Sequence, residues 1–99
     1  MSLIERNIEE IKRLCRRYAV AQLSVFGSVL TDKFNRSSDI DFLVSFDAIP
    51  IEDYADNYLQ LSVALEELLG REIDLVEDKA IRNPVFRNNV DRTKVQIYG

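Results

Sequence analysis

Val25-Phe26-Gly27-Ser28, ten residues, and then Asp39-Ile40-Asp41-Phe42-Leu43-Val44 is the stretch around which the chain is organised. Two acids spaced by one, on a run that alternates polar and apolar, predict a β-strand that carries both carboxylates on one face. Ile40, Phe42, Val44 and Phe46 then form the opposite, apolar face. Upstream, Leu23 to Phe26 predicts a shorter strand, and Gly27-Ser28 stands where that strand turns into a helix. Glycine there lets backbone approach a ligand, and serine adds a hydroxyl beside the N–H groups of a helix N-terminus. One half of the motif can hold phosphate and the other a divalent cation. Together they point to a nucleoside triphosphate site.

Composition narrows the chemistry. Ninety-nine residues, 46% hydrophobic and 30% charged, are expected to make one soluble domain over residues 1–99. No apolar run approaches a membrane span and there is no basic-then-apolar leader, so a cytoplasmic protein with no membrane association is expected. Cys15 is the sole cysteine and lies on the apolar side of its helix, which makes it a core residue. The chain has no histidine, which removes a Ser-His-Asp triad, a Cys-His pair and most zinc sites. Any metal must be held by oxygen, the preference of hard cations such as Mg²⁺. The net charge of −4 argues against direct nucleic-acid binding. Residues 79–94 are an exception, with Lys79, Arg82, Arg87, Arg92 and Lys94 against Asp91 alone. That tail can meet phosphate or an acidic partner, or simply form a solvated face.

The remaining elements frame the motif. Ser2-Leu3-Ile4-Glu5 has the capping-box pattern and predicts a helix to about Tyr18, with Leu3, Ile4, Ile8, Ile11, Leu14, Cys15 and Tyr18 on one side. Ser28 is expected to cap a short helix over about 29–33, and Asn35 to Ser38 to form a loop. A second long helix is expected over about 53–69, closed by Gly70 as its C′ residue. Arg71 to Val76 predicts a third strand with Asp74 inside it, an acid that in a buried strand needs a partner or a metal. Asn83-Pro84 is a cap followed by proline at the first helical position, opening a helix to about Arg92 before an extended Val95 to Tyr98.

Gly27-Ser28, ten residues and Asp39-x-Asp41 resemble the signature of the DNA polymerase beta-like nucleotidyltransferase superfamily. In its short form, with the closing Asn83-Pro84 segment and Val95-Gln96-Ile97-Tyr98, the chain resembles the minimal nucleotidyltransferases, or MNT proteins. The resemblance implies an α/β (α+β) nucleotidyltransferase fold, a small mixed sheet with helices packed on it. It implies that Asp39, Asp41 and Asp74 are catalytic and ligate metal, two Mg²⁺ ions being expected, and that Gly27 and Ser28 bind the nucleotide. The third acid, Asp74, would also assist deprotonation of the acceptor. ATP is the implied substrate, and the implied activity is transfer of AMP to a hydroxyl, expected to be a tyrosine, of a HEPN-type toxin. The chain would then be an antitoxin in a hetero-oligomer with that toxin. Two other readings stand beside this one: a non-catalytic antitoxin that acts by covering the toxin, and a small-molecule adenylyltransferase subunit. The sequence departs from the family in one place. Many relatives carry arginine soon after Gly-Ser, where this chain reads Val29-Leu30-Thr31-Asp32 and leaves Lys33 or Arg36 to take that part.

Overall fold

Four strands, β1 (Val20–Phe26), β2 (Ile40–Phe46), β3 (Ile73–Glu77) and β4 (Val95–Tyr98), form one sheet in the order β3-β2-β1-β4 in a computed structural model that describes residues 2–99. β1 runs antiparallel to β2 and to β4, while β2 and β3 are parallel. Parallel neighbours need a crossover, and here it is the long helix α3 (Ile51–Leu69). The mixed sheet with packed helices is the expected architecture.

The N-terminal helix comes in two pieces, α1 (Ser2–Arg6) and α2 (Ile8–Arg17), where one continuous helix is predicted. Asn7 makes the break. Its amide nitrogen donates back to the Leu3 carbonyl at 2.8 Å and its backbone N–H to Ile4 at 3.1 Å, the local bonding by which asparagine competes with a helix. α3 ends on Gly70 in the left-handed conformation at φ 64°, as its position after the apolar stripe predicts. α4 (Pro84–Thr93) opens on Asn83, whose side-chain oxygen accepts from Val85 N and Phe86 N at 2.9 and 3.1 Å.

Strand alternation sorts the apolar residues onto two faces. Leu23 and Val25 of β1, Ile40, Phe42 and Val44 of β2 and Leu75 of β3 meet Ile4, Ile11 and Cys15 from the N-terminal helices and Leu61, Leu65 and Leu69 from α3. Phe42, Leu23, Ile11 and Leu61 are wholly excluded from water, and burial of each contributes about 1.5–3 kcal/mol. The Asn57 amide donates to the Tyr18 carbonyl at 2.7 Å and the Tyr58 hydroxyl to Leu75 O, tying α3 to both α2 and the sheet. On the other face Phe26 and Leu43 pack with Val90 of α4, backed by Val76 and Ile81. α4 therefore covers the face that carries Phe26 of β1 and the odd-numbered Asp41 and Leu43 of β2.

Candidate active site

The site lies where β1 ends and β2 and β3 begin. Phe26 pairs with Asp41 across the antiparallel ladder, so the turn that follows β1 passes directly over that carboxylate. Gly27 has φ +77°, a conformation that side chains rarely adopt, and a Cβ placed there would fall 2.3 Å from Asp41 Oδ2. Glycine is thus required twice, by its backbone angle and by the acid beneath it. On the other side of β2 the parallel register sets Asp41 beside Asp74. Parallel neighbours in register point from the same face, so both carboxylates lie on the side of the sheet that holds α4. Asp39, two residues before Asp41 and just ahead of β2, is exposed at the same end.

Electrostatics mark Asp41 as the centre of this group. Burial, then the negative charges of Asp74 and Asp39, hold its carboxyl above the usual carboxylate range. Two like charges beside one partly buried acid favour a bound cation. The donor set is oxygen only and the chain lacks histidine, so the residues fit a hard divalent ion. Among the described residues, however, no three such side chains are gathered closely enough to hold a metal by themselves.

Two expectations are corrected. Residues 27–30 form a single 3₁₀ turn, not the capped helix over 29–33, and Ser28 caps nothing. Thr31 stops it: its backbone N–H and its hydroxyl both bond the Ser28 carbonyl, each at 2.9 Å, and the chain leaves in an extended conformation. The macrodipole of a regular helix is therefore missing, and phosphate would meet Gly27 and Ser28 through backbone N–H groups and a hydroxyl alone. Asp74 is also not a buried acid. β3 is an edge strand and Asp74 is exposed, so its charge carries little desolvation cost.

The loop into Asp39 is braced by Arg71, a role the sequence did not disclose. Its guanidinium donates to the Asn35 and Ser38 carbonyls at 2.6 and 3.1 Å and lies 4.3 Å from the centre of the Phe34 ring. Also unforeseen is a cleft of about 490 Å³ with Phe26, Gly27 and Asp41 on one side and Phe86, Asn89 and Arg92 of α4 on the other. Helical spacing of Phe86, Asn89, Val90 and Thr93 after Asn83-Pro84 is the signal that could have found this wall. Within the basic tail, Arg87 is held by Asp78 at 2.8 Å and Asp91 at 3.4 Å, Lys94 by Asp91 at 3.2 Å, and Lys79 by Glu77 at 3.3 Å.

A turn that sets backbone against an acid, with two further acids at the same sheet end, makes up the candidate site. Residues 8–96 match the nucleotidyltransferase domain family, and the chain belongs to it. Protein adenylyltransferase MntA of Thermococcus cleftensis is 34% identical over 76 residues, spanning 77% of this chain and 74% of that one. Among solved structures, a chain assigned as a minimal nucleotidyltransferase superposes with a TM-score of 0.77 at 30% identity, covering 93% of this chain and 90% of its own. A toxin–antitoxin crystal structure with AMP-PNP gives 0.72 at 25% identity, covering 94% of this chain and 73% of that one. The protein is a minimal, MNT-type nucleotidyltransferase by sequence family and by fold. Among the described residues no helix is long and apolar enough to cross a membrane.

Proposed function

We propose that this protein transfers AMP from ATP to a hydroxyl, by preference a tyrosine, of a HEPN-type toxin and so acts as its antitoxin within a hetero-oligomer. The observation that carries the reading is the placement of Gly27 against Asp41, with Asp74 in register beside it. Relatives support the choice of group and acceptor: MntA is a protein adenylyltransferase, and a fold neighbour is a toxin–antitoxin pair with an ATP analogue.

In this reaction the acceptor oxygen forms a bond to the α-phosphorus, the bond to the β-phosphate oxygen breaks, and pyrophosphate leaves. The N–H groups of the 27–30 turn and the Ser28 hydroxyl hold the leaving phosphates. Asp39, Asp41 and Asp74 would hold Mg²⁺, which, when bound, neutralises phosphate charge and eases ionisation of the acceptor. Asp74, exposed on the edge strand, is the carboxylate a hydroxyl arriving from another protein can reach, and it accepts the hydroxyl proton as the new bond to phosphorus forms. In this reading the acceptor hydroxyl is supplied by the toxin.

The experiment is to mix the protein with ATP, Mg²⁺ and its co-encoded toxin and weigh the toxin intact. A gain of one AMP mass or a small multiple is expected. The alternative reading, neutralisation by covering the toxin, draws on the open spacing of the three acids, and it is the one left standing if the toxin is neutralised without any mass change.

A further inference from the structure

We infer that α4 is the second wall of the nucleotide site and that the Arg92 guanidinium binds the triphosphate. The inference rests on the nucleotide reading above and assigns the ligand's phosphates to a helix outside the Gly-Ser and Asp-x-Asp motif.

Three observations converge. First, Arg92 lines the same cleft as Gly27 and Asp41, facing them across about 490 Å³, a volume in the range of small-ligand sites. Second, Arg92 is available. Arg87 and Lys94 are occupied by Asp78 and Asp91, and Lys79 by Glu77, whereas the Arg92 side chain is exposed and makes no ion pair or hydrogen bond among the described residues. Arg82 is also unpaired but lies before the helix, outside the cleft lining. Third, the wall is fixed in place. Val90 is buried against Phe26 and Leu43, Arg87 anchors the helix to the turn after β3, and Asn83 caps its start.

The charges also require such a group. A triphosphate laid over Asp41 meets a carboxylate surrounded by two others, and Arg92 comes from the last turn of α4, whose carbonyl end is itself slightly negative. Only a side-chain cation makes that wall attractive to phosphate, and a planar guanidinium can grip two phosphate oxygens at once. Beside it, Phe86 is 41% exposed with its ring held edge-on to Phe26 at 6.0 Å, an apolar surface for the nucleoside end.

A structural role for Arg92, complementing the helix dipole, makes a different set of forecasts, so binding and stability are measured together. Calorimetric titration of the full chain with Mg²⁺-ATP, and separately with inorganic tripolyphosphate, is run on the wild type, Arg92→Gln, Arg92→Lys and Arg82→Gln. The expected result is an Arg92→Gln affinity about tenfold or more weaker for both probes at an unchanged melting temperature. Arg92→Lys should recover part of the loss, and Arg82→Gln should bind like the wild type. If the wild type binds both probes and Arg92→Gln binds them equally well, the assignment of Arg92 is overturned while the nucleotide site stands. If binding falls only in step with the melting temperature, and lysine restores neither, Arg92 is structural and the assignment is likewise overturned. A wild type that binds neither probe overturns the nucleotide reading itself.

Discussion

The two faces of the sheet are built from the same alternating strands yet do opposite work. The face under α2 and α3 is closed: Ile40, Phe42 and Val44 of β2 meet leucines and isoleucines of both helices, and Phe42 and Ile40 are fully buried. The face under α4 is held by the small group Phe26, Leu43 and Val90, and it also carries Asp41, Asp74 and a cleft. Along β2 the change of face occurs at every residue, so a single strand supplies both the hydrophobic anchor and the charged centre. Charges that cost stability are affordable on one side because the other side supplies it.

The contrast can be broken most strongly from the closed face. Phe42→Ala should cost about 3–5 kcal/mol in denaturant unfolding, enough to threaten the native state, whereas Val90→Ala in the smaller group should cost about 2 kcal/mol. Equal losses would mean that α4 is as firmly seated as α3.

Gly27→Ala comes next. It forces an L side chain into φ +77° and a Cβ against Asp41 Oδ2, which predicts a loss of about 1–2 kcal/mol and displacement of that carboxylate. Thermal unfolding and ATP binding should both fall. A variant as stable as the parent would remove the close approach on which the site is drawn.

Asp41→Asn should act in the other direction. Burial and the neighbouring acids raise the Asp41 carboxyl in the folded protein, so the metal-free fold binds a proton there more tightly than the unfolded chain does. That contributes stability below the ordinary aspartate range, and the contribution is lost as pH rises through the raised value. Asparagine carries no such charge, so the variant should melt slightly higher at neutral pH, with a flatter profile on the alkaline side of the carboxylate range. A lower melting temperature at pH 7 would contradict the electrostatic account.

The smallest effect belongs to Cys15. Burial pushes its thiol up to about 12, so a thiol reagent at neutral pH should leave the native protein untouched and label it only on unfolding. Labelling at the native rate of a free thiol would show that the closed face opens.

These faces were unequally legible in the sequence. Ile40-Asp41-Phe42-Leu43-Val44 announces a strand with an acid on one side because period-two alternation is local, and Gly27-Ser28 marks a turn for the same reason. Asn83-Pro84 and Gly70 likewise fix helix ends through chemistry confined to a few residues. The pairing of Asp74 with Asp41 depends on how α3 returns the chain to β2, which no neighbouring residue encodes. The sequence predicts a helix over about 29–33 where the structure has a 3₁₀ turn at Gly27–Leu30. The Thr31 N–H and hydroxyl bonds that end this turn form only once it has placed the Ser28 carbonyl within reach. Arg92 is legible only as one of a run of bases, and Phe86 and Asn89 not at all, because only the packing of Val90 on Phe26 and Leu43 brings them to the acids.

The central claim is that Asp39 and Asp41 serve AMP transfer and not the fold. Its most direct test is the intact mass of the toxin after incubation with ATP, Mg²⁺ and either the wild type or the Asp39→Asn, Asp41→Asn double variant, both checked as folded. The account predicts AMP added by the wild type and none by the double variant. A double variant that modifies the toxin as the wild type does, or a wild type that adds nothing while still neutralising it, would contradict the account.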